Sequence, residues 1–282
     1  NKLKLHKEAV KDFSIYINKF PNKCKNALSS RAFAYSSLEM YDSSKIDYQR
    51  LLKLNYNDSR GYMGLGFIDV KSGNYYEALL KYNKAINLNK SNVYNYWFRY
   101  RLYRDYLKDY ENAIFDLSAI LEIEPNNHHA YKDRSLLRQW VGDIKGAFED
   151  ITKSMEITDN DLEALVLRSN IRFLVSDTVN ASIDLIKAVK INPENEMDLI
   201  YRGYAKVKLK LYKQALKDFD TALKINKSEG AFQGKAYCYY GLNMLDSSYH
   251  FIKESFLLDS GYNYAWNFAL LALNQRLENK IE

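Results

Sequence analysis

Residues 73–90 read GNYYEALLKYNKAINLNK, and this stretch contains the pattern that repeats along the chain. The small residue Ala78 is followed by the aromatic Tyr82 four positions later and by a second small residue, Ala85, after three more. The position of Ala78 recurs at intervals of 33 to 35 residues, at Ala9, Ser44, Ala113, Ala147, Ala181, Ala215 and Ser248. A period of about 34 residues indicates one helical hairpin repeated many times, and it decides the architecture.

Another small residue stands twelve positions before most of these marks, at Ala32, Gly66, Ser135, Ser169, Gly203 and Ala236. Gly66 ends the stretch GYMGLG, residues 61–66, which could be taken for a phosphate-binding glycine loop. Such a loop needs a strand before it and a helix start after it, and the Lys-Ser/Thr pair of a P-loop is missing. The recurrence favours packing, because small residues let two helices approach closely and offset the roughly 1 kcal/mol that a mid-helix Gly costs.

The composition favours an all-helical chain with a large core. Of 282 residues, 47% are hydrophobic, while only 3 Pro and 11 Gly leave few breaks for sheets and long loops. Cys24 and Cys238 are too few and too distant in sequence for a disulfide framework, so we expect two unpaired thiols.

Targeting signals are weakly informative in this sequence. No run approaches eighteen apolar residues, so we expect no membrane span. The composition favours a cytoplasmic compartment, but the chain starts at Asn1 without Met, which leaves open a removed signal, an anchor or a preceding domain.

The repeat resembles the tetratricopeptide repeat (TPR) family. The matching residues are Tyr62, Leu65, Gly66, Gly73, Tyr75, Ala78, Tyr82 and Ala85 in one unit, Trp97, Tyr110, Ala113, Ile120 and Pro125 in the next, and Ala181, Ala188, Pro193, Gly203, Tyr212, Ala215, Phe219 and Ala222 later. The resemblance implies an all-α, right-handed superhelical solenoid of helix-turn-helix repeats, whose first helices line a concave groove.

We expect a single solenoid of seven or eight repeats over residues 1–282. Its parts are a half-repeat at 1–21, repeats near 25–58, 59–92, 93–127, 128–161, 162–195, 196–228 and 229–261, and a C-terminal capping helix at 262–278. The half-repeat supplies only a second helix and predicts a bare stacking face, through which copies could self-associate. Because Ala78 and Ala113 are 35 residues apart, the register of the helix at 94–110 stays open by one residue.

Arginines beside the small packing residues predict structural ion pairs. Sixteen residues after each of four arginines comes an aspartate, which gives the pairs Arg31 and Asp47, Arg134 and Asp150, Arg168 and Asp184, and Arg202 and Asp218. Where Leu65 replaces the arginine, Lys81 replaces the aspartate. We interpret these as bridges between the two helices of a repeat, since the guanidinium fork matches a carboxylate.

The family resemblance implies that a partner would bind on the first helices, away from the packing residues. The principal candidates are Phe67, Phe98, Leu102, Lys132, Trp140, Asn170, Tyr201, Tyr204 and Tyr237, with Phe33, Met63, Leu136, Val166, Leu167, Ile200 and Val207 beside them and Arg99 and Asp105 as polar anchors. Such an apolar and aromatic surface indicates an interaction site. The alternative is that the curvature of the solenoid buries part of it.

Chemistry at a metal or catalytic centre is not indicated. His128 and His129 are adjacent on a helix start and do not converge, and no further ligands follow at zinc spacing. No paired carboxylates, Ser/His/Asp set or Cys/His set stands at a family motif. We therefore expect no cofactor, no metal and no enzymatic activity.

The leading hypothesis is a non-catalytic scaffold that binds a protein or peptide in the groove. RNA binding is an alternative, because the net charge is +6 and residues 97–106, WFRYRLYRDY, interleave basic and aromatic side chains. The groove positions show no repeated base-reading residues, which argues against it. A third alternative is the docking or regulatory part of a longer enzyme.

Overall fold

The 34-residue period corresponds to alternating helices joined by short turns. The computed structural model describes residues 2–258, and all regular structure in this range is helical. The chain divides between Asp143 and Ile144 into two compact units, called unit 1 and unit 2. The predicted capping helix at 262–278 lies outside the described residues.

In unit 1, second helices (α1, α3, α5 and α7) alternate with first helices (α2, α4, α6 and α8). Their bounds are α1 Lys2–Lys19, α2 Lys25–Ser37, α3 Tyr41–Leu54, α4 Ser59–Lys71, α5 Tyr75–Leu88, α6 Val93–Arg101, α7 Tyr110–Ile123 and α8 His128–Trp140. A π-helix at Leu102–Leu107 continues α6.

In unit 2, the second helices are α9, α11, α13 and α15, and the first helices are α10, α12 and α14. Their bounds are α9 Ile144–Ile157, α10 Leu162–Leu174, α11 Thr178–Lys190, α12 Glu196–Lys208, α13 Tyr212–Ile225, α14 Glu229–Gly241 and α15 Leu245–Leu258.

Short polar side chains begin most of the first helices. At the start of α6, for example, the Asn92 side chain accepts a hydrogen bond from the Tyr94 N–H. Equivalent caps are Asp58, Asn127, Asp161 and Asn195. Each of these side chains satisfies a backbone N–H group that the first turn of a helix leaves without a partner.

A left-handed residue ends each first helix and turns the chain into the second. These residues are Glu39, Gly73, Lys108, Gly142, Ser176, Lys210 and Asn243. The next residue donates its N–H back across the turn, as Met40 does to the Tyr35 carbonyl at 2.9 Å. Only two of the seven are glycine, although this conformation costs other residues roughly 1–2 kcal/mol. Since five of these residues have a side chain that disfavours the left-handed conformation, it is the packing of the two helices, and not the residue type, that determines the turn.

The π-helix explains why the interval from Ala78 to Ala113 is 35 residues. In the other repeats the hydrogen bond across the turn spans five residues, but Asp109 donates to the carbonyl of Tyr103, six residues back. The extra residue is therefore accommodated after α6, and α6 keeps the common register up to Arg101. In that register Tyr100 occupies the place of the small residue Gly66, and it is almost fully buried.

The glycines of α4 are packing residues. A Cβ atom added to Gly66 would lie 2.7 Å from the ring of Tyr82 on α5, and one added to Gly64 would lie 2.1 Å from the ring of Tyr48 on α3. Both tyrosine side chains are buried. The glycines of GYMGLG thus admit aromatic rings from the helices on either side of α4.

We predict that Gly64→Ala lowers the free energy of unfolding by about 1–3 kcal/mol, because the added methyl group clashes with a buried ring. Helix propensity alone predicts the opposite sign, a gain of about 1 kcal/mol. Gly230→Ala is the matched control, since its Cβ would lie 3.6 Å from the nearest atom. Urea denaturation of both variants measures the difference; stabilisation by Gly64→Ala would contradict the packing.

Candidate functional site

The predicted Arg31 and Asp47 pair joins three helices of unit 1. Arg31 Nε and Nη2 donate to the two Asp47 oxygens, both at 2.7 Å, and Nη1 donates to Ser14 Oγ at 2.9 Å. The hydrogen bond that Arg31 donates to Asp47 raises the pKa of the Arg31 guanidinium. The arginine on α2 therefore holds α3 on one side and α1 on the other.

Two further predicted pairs have the same bidentate geometry in unit 2. The Arg168 nitrogens lie 2.9 and 2.7 Å from the Asp184 oxygens, and the Arg202 nitrogens lie 3.0 and 2.7 Å from those of Asp218. Both aspartates are buried, and each receives a second cation from one turn further along the first helix, Arg172 or Lys206. The fourth predicted pair, Arg134 and Asp150, has its members in different units and stays a prediction.

One ion pair of the same kind was not predicted from the sequence. Arg99 Nη2 lies 2.5 Å from Asp116 Oδ1, and Arg99 Nε lies 3.0 Å from Oδ2, with the Asp116 side chain fully buried. Burial raises the pKa of Asp116, and the hydrogen bond from Arg99 opposes that rise. The expected role of Arg99 as a groove anchor is thus corrected. The sequence signal for this pair was the 35-residue interval between Ala78 and Ala113, because one extra residue in the repeat changes the Arg-to-Asp spacing from 16 to 17.

The repeat without an arginine uses another bridge. Lys81 Nζ donates to Asp69 on α4, so the lysine at the aspartate position meets a carboxylate placed one turn after Leu65. The expected anchor Asp105 also has a local partner, since Arg104 Nε lies 2.5 Å from Asp105 Oδ1. These charges connect helices or neighbouring residues.

We predict that Arg31→Met lowers the free energy of unfolding by about 3–5 kcal/mol, because it leaves Asp47 buried without its partner. The double variant Arg31→Met, Asp47→Leu should recover part of this loss, since replacing a buried ion pair with apolar residues is often neutral. Urea denaturation measures both changes. Losses that simply add would contradict a structural pair.

The predicted groove residues of unit 1 form an aromatic row on the first helices. The ring centroids of Phe67 and Phe98 lie 5.9 Å apart with their planes nearly perpendicular. Tyr41, on the second helix α3, lies beside Phe67 with a centroid distance of 6.4 Å, and Lys71 Nζ lies 5.6 Å from the centre of the Phe67 ring. Phe33, on α2, is 58% exposed. We call Phe33, Phe67, Lys71 and Phe98 the first-helix face of unit 1.

Three other candidates of unit 1 are less available to a partner. Leu102 is 1% exposed because it begins the π-helix and packs against Ala78 and Tyr82, and Lys132 is 7% exposed. Trp140 packs its ring against Tyr110 at a centroid distance of 5.2 Å. The expectation that Leu102 and Lys132 present an open surface is corrected.

In unit 2, the predicted tyrosines engage neighbouring helices. Tyr204 donates its hydroxyl hydrogen to the Gly230 carbonyl at 2.9 Å, and burial raises its pKa. Tyr237 lies beside Tyr204 with a centroid distance of 6.4 Å, and Tyr201 Oη lies 2.6 Å from Glu163 Oε1. Asn170 is half-buried, and its Oδ1 accepts no hydrogen bond within the described residues. Asn170 is therefore the member of this set with an unused polar atom.

Exposed apolar residues also occur on the second helices, where the sequence analysis placed none. Phe115 on α7 is 65% exposed, and Ile46, Leu80 and Ile183 occupy the equivalent position of α3, α5 and α11. Each stands directly before the aspartate or lysine of the bridging position. That spacing was readable from the sequence.

Neither a metal cluster nor a membrane span is found in residues 2–258. No three His, Cys, Asp or Glu side chains of this range could jointly hold a metal ion. The ring centroids of His128 and His129 lie 3.9 Å apart, with the ring planes tilted by 37°. None of the helices in the range has the length and apolar character needed to cross a bilayer.

Comparisons with known proteins agree with this architecture. No protein-family model matches the sequence. The small glutamine-rich tetratricopeptide repeat-containing protein 2 of Saccharomyces cerevisiae is 34% identical over 91 residues, which are 30% of this chain and 26% of the yeast protein. The chain thus matches about a quarter of the length of this curated relative.

Two solved structures share the fold at low sequence identity. A tetratricopeptide repeat protein from Parabacteroides merdae ATCC 43184 is 15% identical, with a TM-score of 0.68 over 88% of this chain and 98% of the other. YrrB, described as a TPR protein with an unusual peptide-binding site, is 19% identical, with a TM-score of 0.54 over 66% of this chain and 95% of the other. The predicted all-α fold is confirmed, and this chain folds as an array of helix pairs like those of tetratricopeptide repeat proteins.

Proposed function

We infer that the chain is a non-catalytic scaffold that binds a segment of a partner protein on its first helices. The observation that carries this proposal is the first-helix face of unit 1, where Phe33 is exposed on α2 and the rings of Phe67 on α4 and Phe98 on α6 contact each other. A row of aromatic side chains offers large contact areas with little conformational entropy to lose, as interaction hot spots do.

The charges beside this row favour an acidic and apolar segment. Lys71 is exposed at the Phe67 ring and has no carboxylate partner among the described residues. Arg101 is exposed as well. Burial raises the pKa of Tyr82, whose ring contacts Phe98, and the positive charge of Arg101 opposes this rise. A peptide with apolar residues next to Asp or Glu would place its apolar side chains against the aromatic rings and its carboxylates near Lys71 and Arg101.

The buried charges support a scaffold more than a nucleic-acid reader. Arg31, Arg99, Arg168 and Arg202 each form a two-point contact with an aspartate, so their guanidinium groups are occupied within the repeats. Binding to phosphates requires cations that are free to replace counterions. The expectation that nucleic acid is not the ligand stays a prediction.

A random peptide library tests the proposal, because selection from it requires no assumption about the identity of the partner. We predict that selected peptides combine apolar and acidic residues, and that Phe33→Glu weakens their binding about tenfold or more, because it puts a carboxylate on the first-helix face. Fluorescence anisotropy measures the dissociation constants. Phe115→Glu is the matched control, since its side chain is similarly exposed but lies on a second helix.

Equal effects of Phe33→Glu and Phe115→Glu would contradict the proposed face. Loss of affinity for a single-stranded RNA in Phe33→Glu, with a steep fall of affinity between about 50 and 200 mM salt, would favour the nucleic-acid alternative instead. Circular dichroism and urea denaturation confirm that each variant keeps the wild-type fold before binding is compared.

A further inference from the structure

Helices α11 and α13 of unit 2 expose equivalent positions on the side opposite their buried positions. The small marks Ala181 and Ala215 are buried, and the residues two positions before each mark and two, five and nine positions after it are exposed. These spacings place the four residues on one face of a helix. In α11 they are Val179, Ile183, Ile186 and Lys190, and in α13 they are Lys213, Lys217, Asp220 and Lys224. We call Val179, Ile183 and Ile186 the apolar row, and Lys213, Lys217 and Lys224 the lysine row.

The apolar row of α11 is continuous and open to solvent. Val179 is 71% exposed, Ile183 44% and Ile186 46%, and each lies one helical turn from the next. Leu174 and Val175, just before α11, are both 58% exposed as well. Single exposed aliphatic residues are normal on a protein surface, whereas a continuous apolar patch indicates an interaction site.

The lysine row of α13 lacks compensating carboxylates within the described residues. The stretch 208–227 contains six exposed lysines but two carboxylates, Asp218 and Asp220. Asp218 is buried in its fork with Arg202, and Asp220 Oδ1 lies 2.7 Å from Lys235 Nζ on α14. Both carboxylates are therefore engaged by cations outside the stretch. The three lysines of the row form no ion pair with a described residue.

The outer face of α9, in the same unit, shows the ordinary arrangement. Its charges alternate in sign, and Lys145 lies 3.9 Å from Glu149 while Lys153 lies 2.9 Å from Glu156. Pairs at this spacing compensate one another on a solvated helix face. The apolar row and the lysine row depart from this arrangement on two successive second helices.

Helix α12 holds the two rows side by side. Arg202 on α12 forms its fork on Asp218 of α13, and its Nη1 lies 3.4 Å from the carbonyl oxygen of Ile191 at the end of α11. Because α11 and α13 repeat the same packing, equivalent residues of the two helices lie next to each other on the outer side. An apolar strip and a cationic strip therefore run along one surface.

We propose that the outer side of α11 and α13 binds an acidic amphipathic helix of a partner protein. Apolar residues of that helix, spaced i, i+4 and i+7, pack against the apolar row, and Asp or Glu residues on its flank face the lysine row. The charge of the occupant follows from the lysine row, and its shape follows from the helical spacing of the apolar row. This surface shares no residue with the first-helix face of unit 1, so the inference is independent of the proposed function.

Charge argues against two other occupants. A symmetric contact with a second copy would bring the lysine row of one chain against that of the other, and like charges oppose association. An anionic bilayer would attract the lysine row but would also meet the exposed Glu149 and Glu156 of α9. A single helix is about 10–12 Å across and can cover the two rows alone.

The probe is a synthetic helix in which Leu recurs at i, i+4, i+7 and i+11 and each Leu is followed by Glu. This arrangement puts the carboxylates along one flank of the Leu side chains. Acetyl and amide groups block the ends of the peptide, and a side-chain crosslink on its remaining face keeps it helical, since short isolated helices are marginal. A matched peptide carries Lys in place of each Glu. Fluorescence anisotropy with the full chain measures both dissociation constants.

We expect saturable binding of the Glu peptide that the double variant Lys213→Glu, Lys217→Glu weakens about tenfold or more, because attraction becomes repulsion. The same variant should gain affinity for the Lys peptide. The double variant Lys145→Glu, Lys153→Glu on α9 is the control, since it changes the net charge of the chain equally. This control should change the dissociation constant less than about threefold.

The contribution of the apolar row is measured with Ile183→Glu. This variant should weaken binding of the Glu peptide about tenfold or more, because it replaces an apolar contact with a like charge. Ile46→Glu, at the equivalent exposed position of α3, is its control and should change the dissociation constant less than about twofold. Circular dichroism and urea denaturation confirm that each variant keeps the wild-type fold.

Absence of saturable binding would overturn the proposal, as would equal effects of the α13 and α9 variants. Weakening by Phe33→Glu alone would place the peptide on the first-helix face, which overturns this inference and supports the proposed function. Binding to phosphatidylserine vesicles or to single-stranded RNA that the α13 variant abolishes, without binding of the Glu peptide, would identify another class of ligand and overturn it. Self-association that the α13 variant abolishes would identify a second copy as the occupant and also overturn it.

Discussion

The whole array depends on close contact between the two helices of each repeat. Small residues such as Gly66 and Ala32 let an aromatic or aliphatic side chain of the second helix fill the space between the backbones. The Arg31 and Asp47 fork then fixes the relative position of the helices, because a buried carboxylate requires a partner in one geometry. Packing and charge therefore specify the same register in the repeats that carry the fork.

This constraint explains why one repeat can absorb an extra residue. The π-helix at Leu102–Leu107 accommodates it between Arg99 and Asp116, so the fork on Asp116 is kept although its spacing is 17 instead of 16. The backbone adapts in a turn, where one more residue costs little, and the contact between the helices stays the same. The charged pairs along the chain thus serve mainly to fix how the helices pack.

Much of the fold was predictable from the sequence, and the functional surface was less so. A 34-residue period predicts the helix pairs, and a spacing of 16 residues predicts the forks at Asp47, Asp184 and Asp218. Periodicity does not report whether Leu102 or Tyr204 meets another helix, because exposure depends on side chains from neighbouring repeats. Arg99 was misjudged for the same reason, since only the structure shows where the extra residue lies.

A double-mutant cycle on Arg99 and Asp116 tests the central claim that packing register is kept across the irregular repeat. The free energies of unfolding of Arg99→Gln, Asp116→Asn and the double variant give the coupling energy between the two side chains. A parallel cycle pairs Arg101→Gln with Asp116→Asn. We predict a coupling of about 1.5–3 kcal/mol for Arg99 and about zero for the exposed Arg101. Equal or reversed couplings would contradict the register and the structural role of the forks.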